Sequence, residues 1–67
     1  MEEKECKYKI KYYRQLRNMT QQELAHSLGT DARNIRRWEN GENVPNVNDA
    51  IRIAEILDVP FQEIFMV

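Results

Sequence analysis

The chain has little of what stabilises secreted or membrane proteins. Its 67 residues include one cysteine, two glycines and two prolines, and the longest apolar run is the last four residues. A single cysteine cannot form a disulfide within the chain and is typical of a reducing environment. The apolar run is far shorter than the roughly 18 residues of a membrane span, and the acidic start of the chain is unlike a signal peptide. We therefore expect a cytoplasmic protein with no membrane contact.

Candidate catalytic groups and metal ligands are equally scarce. His26 and Cys6 are the only histidine and cysteine, so we expect no metal site, because structural zinc takes four ligands, mostly from these residue types. The pair Thr20-x-x-Glu23 has the spacing of a helix cap, and no nucleophile lies at a recognisable spacing from a base. The sequence therefore predicts neither an enzyme nor a cofactor.

Charge is distributed unevenly along the chain, although the net charge is only −1. Residues 4–37 carry nine Lys or Arg and three Asp or Glu, a net +6, whereas residues 38–67 carry one cation and six acids, a net −5. Such a chain can present a basic surface to phosphate groups while its total charge stays near zero. The net charge therefore does not argue against nucleic-acid binding.

Apolar residues recur three and four positions apart with no strand-like alternation, which predicts an all-α protein. A capping box at Thr20 and Glu23, and N-caps at Asp31 and Asn46, mark three helix starts. Gly29 follows the second predicted helix, where it supplies the left-handed residue that ends many helices. The predicted helices span residues 7–17, 21–28, 32–40, 47–57 and 61–65.

The apolar face of each predicted helix supplies the candidate core. In chain order, the expected core residues are Ile10, Tyr13, Leu16, Leu24, Ala25, Leu28, Ile35, Trp38, Val47, Ala50, Ile51, Ala54, Leu57, Phe61, Ile64 and Phe65.

Residues 21–40 carry the most informative pattern. Two short helices joined by three residues must cross steeply, which requires a small residue at the crossing and positive φ in the turn. Ala25 and Gly29 meet these two requirements, and Ile35 and Trp38 supply apolar anchors on the second helix. The combination is typical of a helix-turn-helix.

Longer motifs extend this pattern over most of the chain. They are Ile10-x-x-Tyr13-Arg14, residues 19–25, residues 35–41, Pro45 and residues 53–59. Together they resemble the phage-repressor/Cro-type (XRE-like) helix-turn-helix family. The resemblance implies a single domain over 1–67, with a lambda-repressor-like compact bundle of five helices over 10–65 and the helix-turn-helix at 21–40. Asn18 and Asp58 stand where the family often has glycine, and both residue types tolerate the left-handed conformation.

The resemblance implies a sequence-specific double-stranded DNA-binding transcriptional regulator, such as a repressor, whose helix 32–40 enters the major groove. By position, the side chains that would contact bases are Ala32, Arg33, Asn34 and Arg37. Those that would contact phosphates are Thr20, Gln21, Arg36, Asn40 and Asn43. Ala32 departs from the family, because many relatives have a polar side chain there. Arg14 and Glu39 match two positions that form a largely buried ion pair.

A single recognition helix contacts few base pairs, so we expect a weak homodimer on a palindromic operator. The last seven residues include five apolar ones, a concentration that usually marks an interface. The expected interface residues are Phe61, Ile64, Phe65, Met66 and Val67. The competing interpretation is that Phe61 and Ile64 complete the core of the monomer.

Two other functions are compatible with the same fold. The first is an antitoxin that binds its own operator and a toxin protein. The second is a protein-interaction module that has lost DNA binding, and the three arginines of residues 32–40 argue against it.

Overall fold

A computed structural model describes residues 8–65, and the described part of the chain contains five helices and no strand. The helices are α1 (Ile10–Leu16), α2 (Gln21–Leu28), α3 (Ala32–Asn40), α4 (Val47–Leu57) and α5 (Phe61–Phe65). The predicted bounds of α2 to α5 are confirmed. The predicted start of the first helix is wrong, because the Lys9 N–H donates to the carbonyl of Ile64 (3.1 Å) and Lys9 makes no side-chain cap.

Side-chain caps explain why α2, α3 and α4 begin where they do. Thr20 Oγ1 accepts from the Glu23 N–H (3.0 Å), and Glu23 Oε1 accepts from the Thr20 N–H (2.9 Å), which completes the capping box. Asp31 caps α3 by accepting from the Arg33 N–H, and Asn46 caps α4 by accepting from the Asp49 N–H. Because each cap joins residues at most three positions apart, the local sequence is sufficient to predict it.

Left-handed residues end the same three helices. Gly29 and Gly41 follow α2 and α3 with φ of 77° and 79°, and Asp58 follows α4 with φ of 58°. Asn18, just after α1, also has φ of 58°. These are the two non-glycine positions at which the family resemblance predicts this conformation.

The core lies where α2, α3 and α4 meet, with α1 and α5 packed on them. Six of its side chains are fully buried, and burying one aliphatic side chain of this size stabilises the fold by about 1.5–3 kcal/mol. These six residues are Ile10, Leu24, Ile35, Ile53, Leu57 and Ile64.

Four expected core residues lie on the surface instead, among them Phe61, which is 40% exposed. Leu16, Val47 and Ile51 are 55%, 71% and 44% exposed, whereas Ile53, which the candidate core omits, is fully buried. Helix α4 has apolar residues on more than one side, so their spacing is compatible with several rotations about the helix axis. Its packing against α2 and α5 selects the face that includes Ile53 and Leu57.

Tyr13 connects α1 to α5. Its hydroxyl donates to Glu63 Oε1 over 3.3 Å. Burial of the phenol and the neighbouring Glu63 carboxylate raise the pKa of Tyr13 above its ordinary value. The bond adds a polar contact between the first and last helices, each of which also contributes a fully buried isoleucine, Ile10 or Ile64, to the core.

Two features are absent from residues 8–65. No helix in this range is long and apolar enough to cross a membrane. Within the same range, no group of three or more His, Cys, Asp or Glu side chains is placed to hold a metal ion.

Candidate nucleic-acid interface

A buried ion pair fixes the orientation of α3. Arg14 Nε donates to Glu39 Oε2 over 2.6 Å, and Arg14 Nη2 donates to Glu39 Oε1 over 3.1 Å. The third guanidinium nitrogen, Nη1, donates to the carbonyl of Met19 over 2.7 Å. Because both side chains are buried and paired in two places, α1 and the last turn of α3 are held in one relative position.

Gln21 joins this network from the start of α2. Its Nε2 donates to Glu39 Oε1 over 3.0 Å, which places the first residue of α2 beside the last turn of α3. Thr20 is occupied as well, because its hydroxyl and its N–H form the capping box. The N–H groups of Gln21 and Gln22 are therefore the donors that the start of α2 leaves for a ligand.

Arg17 has a structural role that no motif of the sequence indicates. Its Nε donates to the carbonyl of Leu57 (2.7 Å), and its Nη2 donates to the carbonyl of Asp58 (3.1 Å). These carbonyls end α4, where a cation is also favoured by the helix dipole. The partners lie about forty positions away in sequence, so no local pattern could have indicated this contact.

Three arginines form the outer face of α3. Arg33, Arg36 and Arg37 are exposed, and their side chains make no hydrogen bond or ion pair with another residue in the described range. Their spacing of three and four positions places them side by side on a helix. We call Arg33, Arg36 and Arg37 the basic face of α3. The opposite side of the helix buries Ile35, Trp38 and Glu39.

The two other residues expected to contact bases are partly buried at the start of α3. Ala32 packs against the core. Asn34 Nδ2 donates to Thr30 Oγ1 over 2.8 Å, so its amide is held from inside the protein. Within this set, Arg33 and Arg37 are therefore the side chains that α3 presents most fully.

The end of α3 and the loop after it carry two further expected phosphate contacts. Asn40 and Asn43 are both exposed. Asn43 Oδ1 accepts from the Val44 N–H over 2.9 Å, which leaves its amide nitrogen for an outside partner.

The residues expected at a dimer interface differ in exposure on α5. Ile64 is fully buried in the core of the single chain, so, contrary to expectation, its side chain offers no surface to a partner. Phe61 is 40% exposed, and the half-buried Phe65 ring lies 5.0 Å from the Phe61 ring and 5.1 Å from the Tyr8 ring. Met66 and Val67 lie outside the described residues.

Comparisons with known proteins place this geometry in a family. A helix-turn-helix family model matches residues 10–64. The chain is 40% identical over 60 residues to an uncharacterized HTH-type transcriptional regulator of Methanocaldococcus jannaschii, covering 90% of this chain and 91% of the relative. It is 28% identical over 47 residues to the cryptic phage CTXphi transcriptional repressor RstR of Vibrio cholerae, covering 70% of this chain and 42% of the repressor.

A third similarity is confined to part of a much longer protein. The chain is 44% identical over 59 residues to a type II methyltransferase of Lactococcus lactis subsp. cremoris, covering 79% of this chain and only 15% of the methyltransferase. The family model and the full-length similarity to the Methanocaldococcus jannaschii regulator agree with the caps, the turn and the buried ion pair described above. The chain therefore belongs to the phage-repressor/Cro-type (XRE-like) helix-turn-helix family.

Proposed function

We propose that residues 10–65 form a sequence-specific double-stranded DNA-binding domain of a transcriptional regulator, with the helix-turn-helix at 21–40. The basic face of α3 carries the proposal, because its three arginines have no partner among the described residues while the opposite side of α3 is buried in the core. The major groove of DNA admits a helix of this kind. The names of the Methanocaldococcus jannaschii and Vibrio cholerae relatives support a role in transcription.

Within this proposal, the exposed arginines and the half-buried residues of α3 have different roles. Arg33 and Arg37 each hold guanine O6 and N7, the commonest specific contact in the major groove. Ala32 presents a methyl group to a thymine methyl, and Asn34 offers its amide to a base edge. Arg36, on the flank of the helix, binds a phosphate.

In this arrangement the DNA backbone is held at two places, the start of α2 and the end of α3, which the Gln21–Glu39 contact brings together. At the start of α2, Gln21 binds a phosphate through its main-chain N–H, because its amide nitrogen is bonded to Glu39. Thr20 supports that contact as the N-cap. Asn40 and Asn43 bind phosphates near the end of α3. Such contacts set the register of the protein on DNA without distinguishing bases.

Selection of bound sequences from a pool of random duplexes tests the proposal directly. We expect one motif to be enriched, and we expect the enriched duplex to bind at least roughly 1,000-fold more tightly than a scrambled duplex of equal length. Equal affinity for the two duplexes, with no enriched motif, would refute sequence-specific binding. We assign the domain a binding role rather than a catalytic one, because the similarity to the methyltransferase covers only 15% of that enzyme.

We further propose a weak homodimer that binds two half-sites of a palindrome about 34–36 Å apart. The exposed part of Phe61 and the edge of Phe65 would supply the apolar contact, together with Met66 and Val67. Sedimentation at rising protein concentration, with and without the enriched duplex, tests this arrangement. We expect two chains per palindromic duplex. One chain per palindrome at saturation would exclude the dimer.

A further inference from the structure

Thr30 connects the two helices of the helix-turn-helix in a way that the cap of α3 does not require. Its N–H donates to the carbonyl of Ala25 over 2.9 Å and closes the end of α2. Its Oγ1 accepts from Asn34 Nδ2 over 2.8 Å and so reaches into the first turn of α3. Both side chains are half-buried. Thr30 therefore links the end of one helix to a residue expected to contact a base on the next.

Capping alone does not explain the Thr30–Asn34 bond. Asp31 Oδ1 already accepts from the Arg33 N–H (3.2 Å), and the carbonyl of Asp31 accepts from the Asn34 N–H (2.9 Å). The N–H groups of Arg33 and Asn34 are thus satisfied without the Thr30 hydroxyl. The bond acts on the Asn34 amide, which would otherwise rotate among several rotamers.

We propose that Thr30 is a positioning residue that sets base preference by holding the Asn34 amide, an inference that rests on the proposed DNA-binding function. With Nδ2 bonded to Thr30, the free acceptor of the amide is Oδ1. An acceptor in the major groove is matched by the exocyclic amino group of adenine or cytosine. Thr30 thereby favours one of these two bases opposite the start of α3 without contacting the DNA itself.

The test compares variants on duplexes that differ at a single base pair. Asn34→Ala first identifies that pair, as the one position of the enriched motif at which this variant loses its preference. Thr30→Val then removes the hydroxyl at nearly constant shape. We expect the preference for the amino-bearing base at that pair to fall by about threefold to tenfold, the value of one hydrogen bond, while affinity for random duplexes is unchanged.

Two control variants separate positioning from a purely structural role. Thr30→Ser retains the hydroxyl, and we expect it to retain the preference. Adding Thr30→Val to Asn34→Ala should change the preference no further, because the residue being positioned is already absent. If Thr30→Val lowers the melting temperature, the base preference is measured again with Thr30→Ala, which removes the hydroxyl and leaves a smaller side chain.

Each result bears on Thr30 separately from the proposed function. If the wild-type chain selects a motif and Thr30→Val keeps the same base preference, the role of Thr30 is overturned and the DNA-binding function stands. The role of Thr30 is also overturned if Thr30→Val weakens binding equally with each of the four base pairs at that position. The same holds if Asn34→Ala selects the wild-type motif. A wild-type chain with no preferred duplex would refute the proposed function and this inference with it.

Discussion

The arginines of the first helix and those of the third have opposite roles. The side chains of Arg14 and Arg17, in and just after α1, donate to acceptors within the protein: Glu39 and the carbonyls of Met19, Leu57 and Asp58. The arginines of the basic face of α3 make no such bonds with the described residues. Residue type is the same in both groups, and only the positions of distant acceptors distinguish them. The first group therefore builds the fold, and the second is available to a ligand.

This difference changes the meaning of the charge asymmetry. The net +6 of residues 4–37 includes Arg14 and Arg17, whose charges are used within the protein, and Lys4 and Lys7, which lie outside the described residues. The remaining exposed cations of that stretch are Lys9, Lys11, Arg33, Arg36 and Arg37. Three of these five belong to α3, so the exposed cations that have no side-chain partner among the described residues are concentrated on one helix.

The largest expected effect follows from breaking the buried pair of the first group. Glu39→Ala leaves the Arg14 charge buried without its partner, which costs about 3–5 kcal/mol. The whole free energy of unfolding of a domain this small is on the order of 5 kcal/mol, so we expect a marginally stable chain with a much lower melting temperature. Circular dichroism during thermal unfolding measures this. Arg36→Ala, an exposed change, serves as the control, and a wild-type melting temperature for Glu39→Ala would contradict the prediction.

The next largest effect is expected for the arginines of the basic face of α3, and we expect it in DNA affinity and not in stability. Arg33→Ala and Arg37→Ala should each weaken binding to the enriched duplex by about 1–3 kcal/mol and relax the preference at one base pair. Their free energies of unfolding should stay within about 0.5 kcal/mol of wild type. Titration of enriched and random duplexes measures both affinities.

Arg52→Ala is the matched control for these two variants. It removes the same charge from an exposed site on α4, outside the predicted contact set. A loss equal to that of Arg37→Ala would make the effect one of net charge rather than base contact. Equal losses on the enriched and random duplexes would assign Arg33 and Arg37 to phosphates.

A smaller effect is expected for Arg17. Arg17→Met keeps most of the aliphatic stem but removes the two bonds to the end of α4, and we expect the free energy of unfolding to fall by about 1 kcal/mol. DNA affinity of the folded protein should not change. Denaturant unfolding and duplex titration measure the two quantities. If Arg17→Met weakens DNA binding at wild-type stability, Arg17 contacts DNA, as is proposed for the arginines of α3.

The smallest effect is expected for Arg36, as a change in salt dependence. Each phosphate neutralised on DNA contributes about 0.9 to the slope of log affinity against log salt. Arg36→Ala should lower the slope by about that amount between roughly 50 and 200 mM salt and leave base preference unchanged. An unaltered slope would show that Arg36 does not contact the backbone.

The positions of the helices could be predicted from the sequence because the signals are local. The Thr20–Glu23 capping box, the Asp31 and Asn46 caps and the left-handed residues after α2, α3 and α4 involve neighbours at most five positions apart. Their hydrogen bonds depend little on the rest of the fold. The start of α1, which has no side-chain cap, was predicted wrongly.

The buried faces were predicted less well, because a periodic pattern gives spacing rather than direction. On α4 the four-residue spacing of Val47 and Ile51 predicts that both face inward, but packing exposes both and buries Ile53. On α1, the apolar pattern places Leu16 inside with Ile10, but the buried residues of this helix are Ile10 and Arg14. Arg14 is buried because it pairs with Glu39, which is buried at the end of α3.

The sequence by itself determined where four of the five helices begin and end and which family the chain resembles, since both depend on neighbouring residues and motif spacing. Tertiary structure decided that Arg17 bonds to the end of α4, which apolar residues form the core and that Ile64 faces inward rather than toward a partner. These outcomes depend on contacts such as Arg14–Glu39 and Arg17–Leu57, which join positions 25 and 40 residues apart. A hydrogen bond acts over about 3 Å, so only the folded chain brings such partners within reach.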